Sequence, residues 1–279
     1  MTVKKSININ NKNLNEFNEK GFVIVKNLFS KSEIKLIYSQ LEQMIDTIID
    51  YNGLPINKKI TLDRKYLLLK KISPKLKSHF YDMLPYIDCV NNLTSSKKIL
   101  NIIKSLLNCK AVFITGQVIR LDHKSDKHHL PLHQELNNIS SDFALVWVPL
   151  VDVNKKTGTL CVIPESHKYG HLIYKDSKKE AQYHKVGIIN KIMKNKEKID
   201  CQNSIVKKLF HKKNIYHVNL KAGDAIIFKT FMFHGSTPFN SNKIRWTFLS
   251  TFHPLQKTPY LRDAKAKLHI PYDVDYNKL

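Results

Sequence analysis

The sequence predicts an α+β fold, mainly β, with helices first and a sandwich or barrel of short strands after them. Three observations predict it. From Ile34 onward apolar residues recur with a helical period, and this texture continues weakly to residue 109. From residue 110 it gives way to β-branched and aromatic runs divided by turn signals. The hydrophobic fraction, 42%, is ample for one large core in a chain of 279 residues. Helices followed by a succession of strands implies helices packed outside a β structure.

Residues 1–16 are polar and read as a flexible N-terminus, leaving 17–279 as a single domain. GFVIV (21–25) is a short apolar strand. A helix starts after it: Ser30 can cap, Glu33 can reach back to close the capping box, and Phe29 can staple onto Ile34. Ile34, Ile37, Leu41, Ile45 and Ile48 carry the helical face until Gly53 and Pro55 end it. The remainder of the helical part (17–109) has weaker boundaries, the Leu84-Pro85 break being the clearest. The β part, 110–255, contains AVFI (111–114), QVIR (117–120), FALVWV (143–148), TLCVI (159–163), YHVNL (216–220), AIIF (225–228) and RWTFLSTF (245–252). Lys156-Thr157-Gly158 and Ala222-Gly223-Asp224 are turns between them. A lysine-rich, partly helical insertion, 175–214, is a candidate lid, and 256–279 is a C-terminal tail.

Composition excludes several classes. No run of eighteen apolar residues exists, so no membrane span is expected, and MTVKKSININN lacks the apolar centre of a secretory signal. Cys89, Cys109, Cys161 and Cys201 form no C-x-x-C pair, which fits a reducing, cytoplasmic location. Neither a phosphate loop, a dinucleotide fingerprint nor a G-x-S-x-G elbow occurs. Lysine and arginine outnumber acids 46 to 23, a net charge of +23. The lysines are spread along the chain, as AT-rich coding DNA alone produces, which argues against a nucleic-acid footprint. The same charge suits an acidic small-molecule substrate. It fixes no oligomeric state.

The chemistry lies in PLHQELNN (131–138). Residues two apart on a strand point to one face, so His133 and Glu135 can offer an imidazole nitrogen and a carboxylate oxygen to one point. The best third ligand is His234, at the end of the strand that follows the Ala222-Gly223-Asp224 turn. Two histidines and a carboxylate on one face of an octahedron leave three positions open, as in non-haem Fe(II) oxygenases. Arg245 lies eleven residues beyond His234; on an antiparallel neighbour its planar fork returns beside the metal and suits a carboxylate. The competing pair His129 and His133 has helical zinc spacing, but Pro131 breaks that helix. His123, His128 and His129 read as a polar loop at the mouth of the site.

Four blocks together resemble the phytanoyl-CoA dioxygenase family of Fe(II)/2-oxoglutarate oxygenases: GFVIVKNLFSKSEIKLI, HHLPLHQE, VWVPLVDVNKKTGTLCVIPESHKYG and GDAIIFKTFMFHGSTPFNSNKIRWTFLSTF. Their order and spacing match the family over roughly half the chain. The resemblance implies a double-stranded β-helix (jelly-roll, cupin-like) core and iron held by His133, Glu135 and His234. It also implies that Arg245 grips the distal carboxylate of 2-oxoglutarate, and that Trp147 and Gln117 line the co-substrate pocket. His167 in PESHKYG matches a family position near the site and reads as structural support. One departure is Glu135, where the family usually has aspartate; the side chain is one methylene longer.

The activity so implied is hydroxylation of an unactivated C–H bond of a small molecule by O2, with release of succinate and CO2. Halogenation is disfavoured, because halide would need the position that Glu135 takes. The alternative, motivated by the net charge of +23, is an anion- or nucleic-acid-binding protein on a catalytically degenerate oxygenase scaffold.

Overall fold

The structure is a computed structural model that describes residues 9–125, 132–135, 143–170, 208–211 and 214–255. His128 and His129, the tail 256–279 and most of the expected insertion 175–214 lie outside the described residues.

The chain runs through helix α1 (Asn11–Lys20), strand β1 (Phe22–Val25) and the long helix α2 (Lys31–Tyr51). Helices α3 (Leu62–Ile72), α4 (Pro74–Met83), α5 (Asp88–Thr94) and α6 (Lys97–Leu107) follow. Strands β2 (Val112–Asp122), β3 (Ala144–Pro149), β4 (Leu160–Val162), β5 (Tyr216–His217), β6 (Ala225–Lys229), β7 (His234–Ser236) and β8 (Arg245–Pro254) complete it. None of the described helices is long and apolar enough to cross a membrane.

Helix α1 begins inside the stretch expected to be loose. Asn10 and Asn13 cap each other reciprocally, and Phe17 is fully buried, so a polar asparagine run still makes an anchored helix. Helix α2 starts as expected: Ser30 Oγ accepts from Glu33 N at 3.2 Å, and Ser30 N donates to Glu33 Oε2 at 2.7 Å. Its buried face is Ile37, Leu41, Ile45 and Ile49, with Ile34 and Ile48 at the margin.

Two antiparallel sheets face each other. The larger has the order β1-β6-β3-β8-β2, the smaller β5-β4-β7. Alternation along the strands divides two cores. Ala144, Val146, Val148, Trp246, Phe248 and Phe252 point to the helices. Leu145, Trp147, Ile226 and Phe228 point the other way and meet Leu160 and Val162 of the smaller sheet. Asp63 of α3 ties the helical layer to β8, accepting from Trp246 Nε1 at 2.7 Å and Ile244 N at 2.9 Å.

The runs 111–114 and 117–120 form one strand, β2, interrupted by a bulge. Thr115 pairs with Thr251 and Val118 with Leu249, so Gly116 and Gln117 together oppose Ser250. Gly116 has φ +60°, a conformation that favours glycine.

Asp224 fastens the turn before β6 to the end of β1. It accepts from Lys26 Nζ at 2.8 Å, Asn27 N at 3.0 Å and Lys221 N at 3.1 Å. Burial raises its pKa, but the Lys26 and backbone hydrogen bonds outweigh that and hold it below the usual aspartate value. A depressed carboxyl contributes stability above its unfolded pKa of about 4 and loses it as the pH falls through the folded value. Asp224→Asn is therefore expected to cost roughly 1–3 kcal/mol at pH 7. The gap between variant and parent in denaturant unfolding should close as the pH falls through the lowered folded value; a gap independent of pH would contradict the assignment.

Candidate metal centre

His133 and His234 are brought together by the backbone. His133 N donates to His234 O at 2.9 Å and His234 N donates to His133 O at 3.0 Å, a closed antiparallel pair. Residues so paired put their side chains on one face, and the two rings lie 4.3 Å apart between centroids. The other edge of β7 pairs with β4, so His133 extends the smaller sheet by one residue. Gln134 points away and locks the segment, its Nε2 donating to Gly170 O at 2.8 Å and Phe231 O at 2.6 Å. Glu135, two residues on, returns to the face of His133.

This differs in two respects from the sequence expectation. His133 and Glu135 are not on a regular strand; only a single bridge residue, His133, pairs. His234 does not end the strand after the Ala222-Gly223-Asp224 turn. That strand, β6, stops at Lys229, and Phe231, at φ +59°, turns the chain across to the other sheet, where His234 opens β7.

The three donors converge. Glu135 Oε1 is 3.7 Å from His133 Nε2 and 3.5 Å from His234 Nε2, and one ligand atom from each residue lies within 4.8 Å of the others. His234 Nδ1 lies 3.0 Å from Met232 O. A carbonyl can only accept, so Nδ1 carries the proton and Nε2 keeps its lone pair for a metal. Burial pushes the His234 pKa down, and neighbouring His133 adds to this, against the pull of Glu135. Burial also opposes charge on Glu135, but His133 and His234 more than offset it and hold the carboxyl far below its usual range. Metal binding requires a neutral imidazole and an ionised carboxylate, and the shifts at His234 and Glu135 both run in that direction. Two imidazoles and one carboxylate fit Fe(II), and the set leaves coordination positions for other ligands.

The triad stands at the wall of a cavity of ≈ 40 Å³ between the sheets. Trp147, Arg245 and Ser236 line it, with Phe228, Leu160 and Leu249 as apolar wall. Arg245 is buried and faces the cavity because β8 alternates: Trp246 points to the helices, Arg245 and Thr247 to the site. Its guanidinium already has partners. Nε and Nη2 donate to Asp122 Oδ2 at 3.2 and 3.0 Å, and Nη1 to Thr237 O at 3.4 Å.

Gln117 departs from expectation. It does not line this cavity; its amide donates to Pro85 O and to Asn91 on the helical side. From the bulge on, β2 alternates with Arg120 and Asp122 toward the site, and Gln117 has the opposite parity. Arg120 and Asp122 were missed in the sequence. The register placing Asp122 opposite Arg245 would have found them. His167 braces the N-terminal helix, its Nε2 lying 3.1 Å from Asn18 O.

Comparisons with known proteins bear on the family and the fold. The phytanoyl-CoA dioxygenase (PhyH) family profile matches residues 17–247. The chain is 23% identical over 236 residues to the peroxisomal phytanoyl-CoA dioxygenase of Bos taurus, covering 79% of this chain and 61% of that protein. It therefore spans less than two thirds of that relative's length. Among solved structures, SnoK, a non-heme alpha ketoglutarate dependent carbocyclase from nogalamycin biosynthesis, superposes with a TM-score of 0.56. The identity is 13%, with 98% of this chain and 97% of SnoK covered. EctD from S. alaskensis with bound Fe gives a TM-score of 0.56 at 14% identity, covering 89% of this chain and 78% of EctD. At such identities the likeness shows the fold, a double-stranded β-helix with helices outside it. With the family profile spanning the helical part and nearly all of the β core, the chain belongs to the phytanoyl-CoA dioxygenase (PhyH) family, whose cofactor set is Fe(II), 2-oxoglutarate and O2.

Proposed function

We propose that the chain is an Fe(II)/2-oxoglutarate-dependent oxygenase that hydroxylates an unactivated C–H bond of a small anionic molecule, with release of succinate and CO2. The observation that carries this reading is the convergence of His133, Glu135 and His234 within 4.8 Å at a cavity that also holds Arg245. The chemistry that a ferrous ion supplies there is the coupling of 2-oxoglutarate decarboxylation to oxidation of a C–H bond by O2.

The residues of the chain hold, orient and exclude. His133, Glu135 and His234 would hold the ion, with the Met232 carbonyl fixing the tautomer of His234. Glutamate in place of aspartate suits this position because Glu135, among the described residues, has no sheet partner of its own that would dictate its distance. Arg245 would take the distal carboxylate of 2-oxoglutarate, and Trp147 would flank it. Phe228, Leu160 and Leu249 keep water from the reacting bond.

Arg120 supports an anionic substrate. It lines the cavity and, among the described residues, has no carboxylate partner, whereas Arg245 has Asp122. A half-buried guanidinium without a counter-ion favours an acidic ligand. The lysines are spread along the whole sequence, so the net charge of +23 does not by itself call for nucleic acid.

The test is anaerobic. Fe(II) with 2-oxoglutarate should give a weak visible charge-transfer band, lost in His133→Ala. Arg245→Ala should weaken 2-oxoglutarate binding by ten- to a hundredfold, roughly, with metal affinity little changed. No band, together with salt-sensitive binding of DNA or RNA, would favour a binding protein on an inactive scaffold instead. In aerobic turnover, product heavier by one oxygen separates hydroxylation from ring closure.

A further inference from the structure

We infer that Asp122 is a positioning residue for the co-substrate: it holds the Arg245 guanidinium so that its end-on edge is presented to a carboxylate. The inference rests on the reading of Arg245 as the 2-oxoglutarate clamp and adds a second residue to it.

The argument is a count of donors. Guanidinium carries five N–H bonds in a fixed plane. Asp122 Oδ2 takes one from Nε at 3.2 Å and one from Nη2 at 3.0 Å, and Thr237 O takes one from Nη1 at 3.4 Å. Among the described residues two are left without a partner, one on each Nη, which is the number a single bidentate carboxylate accepts. Asp122 thus occupies the side edge of the fork and leaves the end edge for a ligand. The ring of Phe239, 5.5 Å from the guanidinium carbon, restrains the same group from its face.

Backbone register makes this a built contact. Asp122 and Arg245 are directly opposite each other in the β2–β8 pairing, so their side chains emerge on one face at cross-strand distance. Arg245 is 3% exposed. A guanidinium at that depth, without a counter-ion, would turn toward another acceptor or draw in water. Asp122 supplies the charge that keeps it in place before any ligand arrives, so less ordering remains to be done on binding. The price is a second negative charge near the incoming carboxylate, which is why the side edge, remote from the ligand, is the favourable place for it.

The experiment compares Asp122→Ala, Asp122→Asn and Arg245→Ala in the full chain, by anaerobic 2-oxoglutarate titration of the Fe(II) protein and separately by Mn(II) binding without 2-oxoglutarate. Asp122→Ala should raise the 2-oxoglutarate Kd about tenfold or more, with Asp122→Asn, which keeps an acceptor oxygen, in between. Mn(II) affinity should be unchanged, and in turnover the rise in KM for 2-oxoglutarate should exceed the fall in kcat. If Asp122→Ala does not fold, the isosteric Asp122→Asn carries the test and must still show the weaker 2-oxoglutarate binding. An affinity within about twofold of the parent, or a tighter one, would overturn the inference. Equal loss of Mn(II) and 2-oxoglutarate binding would overturn it too, as general disruption. Should Arg245→Ala leave 2-oxoglutarate binding intact, the clamp itself fails, a result separate from either of these.

Discussion

His234→Ala is expected to lower the affinity for Fe(II) by at least about a hundredfold and to abolish 2-oxoglutarate turnover, while the protein stays folded. The size of the effect follows from how much converges on this residue. Its Nε2 is 3.5 Å from Glu135, its Nδ1 is committed to Met232 O, and its backbone carries both hydrogen bonds to His133. The substitution removes the imidazole and leaves the backbone pair, so His133 and Glu135 remain where they are with one donor missing. It also takes away one of the two groups that lower the pKa of the half-buried Glu135 carboxyl. Equilibrium dialysis with Fe(II) under argon measures the loss, and circular dichroism checks the fold. A loss below about tenfold would mean that the metal, if any, is held elsewhere.

Trp246→Ala is expected to have the largest effect on stability, about 3–5 kcal/mol from the cavity and lost contacts alone. Trp246 is fully buried and lies between Tyr38 and Tyr66, with ring centroids 6.2 and 6.0 Å away. Its Nε1 donates to Asp63, whose other oxygen accepts from Ile244 N. Truncation opens a void at the junction of helices and larger sheet and removes a charge-assisted hydrogen bond. For a chain of this size the melting temperature should fall by roughly 5–9 °C. Trp246→Phe separates the two contributions, since it keeps most of the volume and loses only the hydrogen bond, for about 1.5–3 kcal/mol. A shift of only a degree or two in Trp246→Ala would show that this junction is not where the layers are joined. Because Trp246 follows Arg245 on β8 and points to the opposite face, the alanine variant should also loosen the hold on Arg245 at the cavity wall.

Local signals in the sequence were legible where local physics decides. The capping box of Ser30 and Glu33 formed as its spacing predicts, and the helical face of α2 is buried as its periodicity predicts. The β runs from residue 143 onward became strands for the same reason. Other features depend on partners distant in the chain, and these were not legible. The bulge at Gly116 and Gln117 sets which residues of β2 face the site, so Gln117 points to the helices, while Arg120 and Asp122 face the cavity. Gly116 is a local sign of a bulge, but which residues face the site beyond it is set by pairing with β8, far along the chain. The crossing of the chain at Phe231 likewise hides β7, three residues long, which owes its existence to pairing with β4 and His133. His133, Glu135 and His234, singled out from the sequence, come together although their local geometry is not a regular strand. Donor chemistry and spacing survive such differences; a requirement for two side chains on one face is met by a single bridge as well as by a ladder.

One measurement bears on all of this: the coordination of iron in the loaded protein, by crystallography or X-ray absorption under argon. Nitrogen donors from His133 and His234 and one Glu135 oxygen should lie at about 2.0–2.3 Å, with the remaining positions taken by water or, when added, 2-oxoglutarate. An ion caged by four or more protein side chains, or sitting away from the cavity that Arg245 lines, would contradict it.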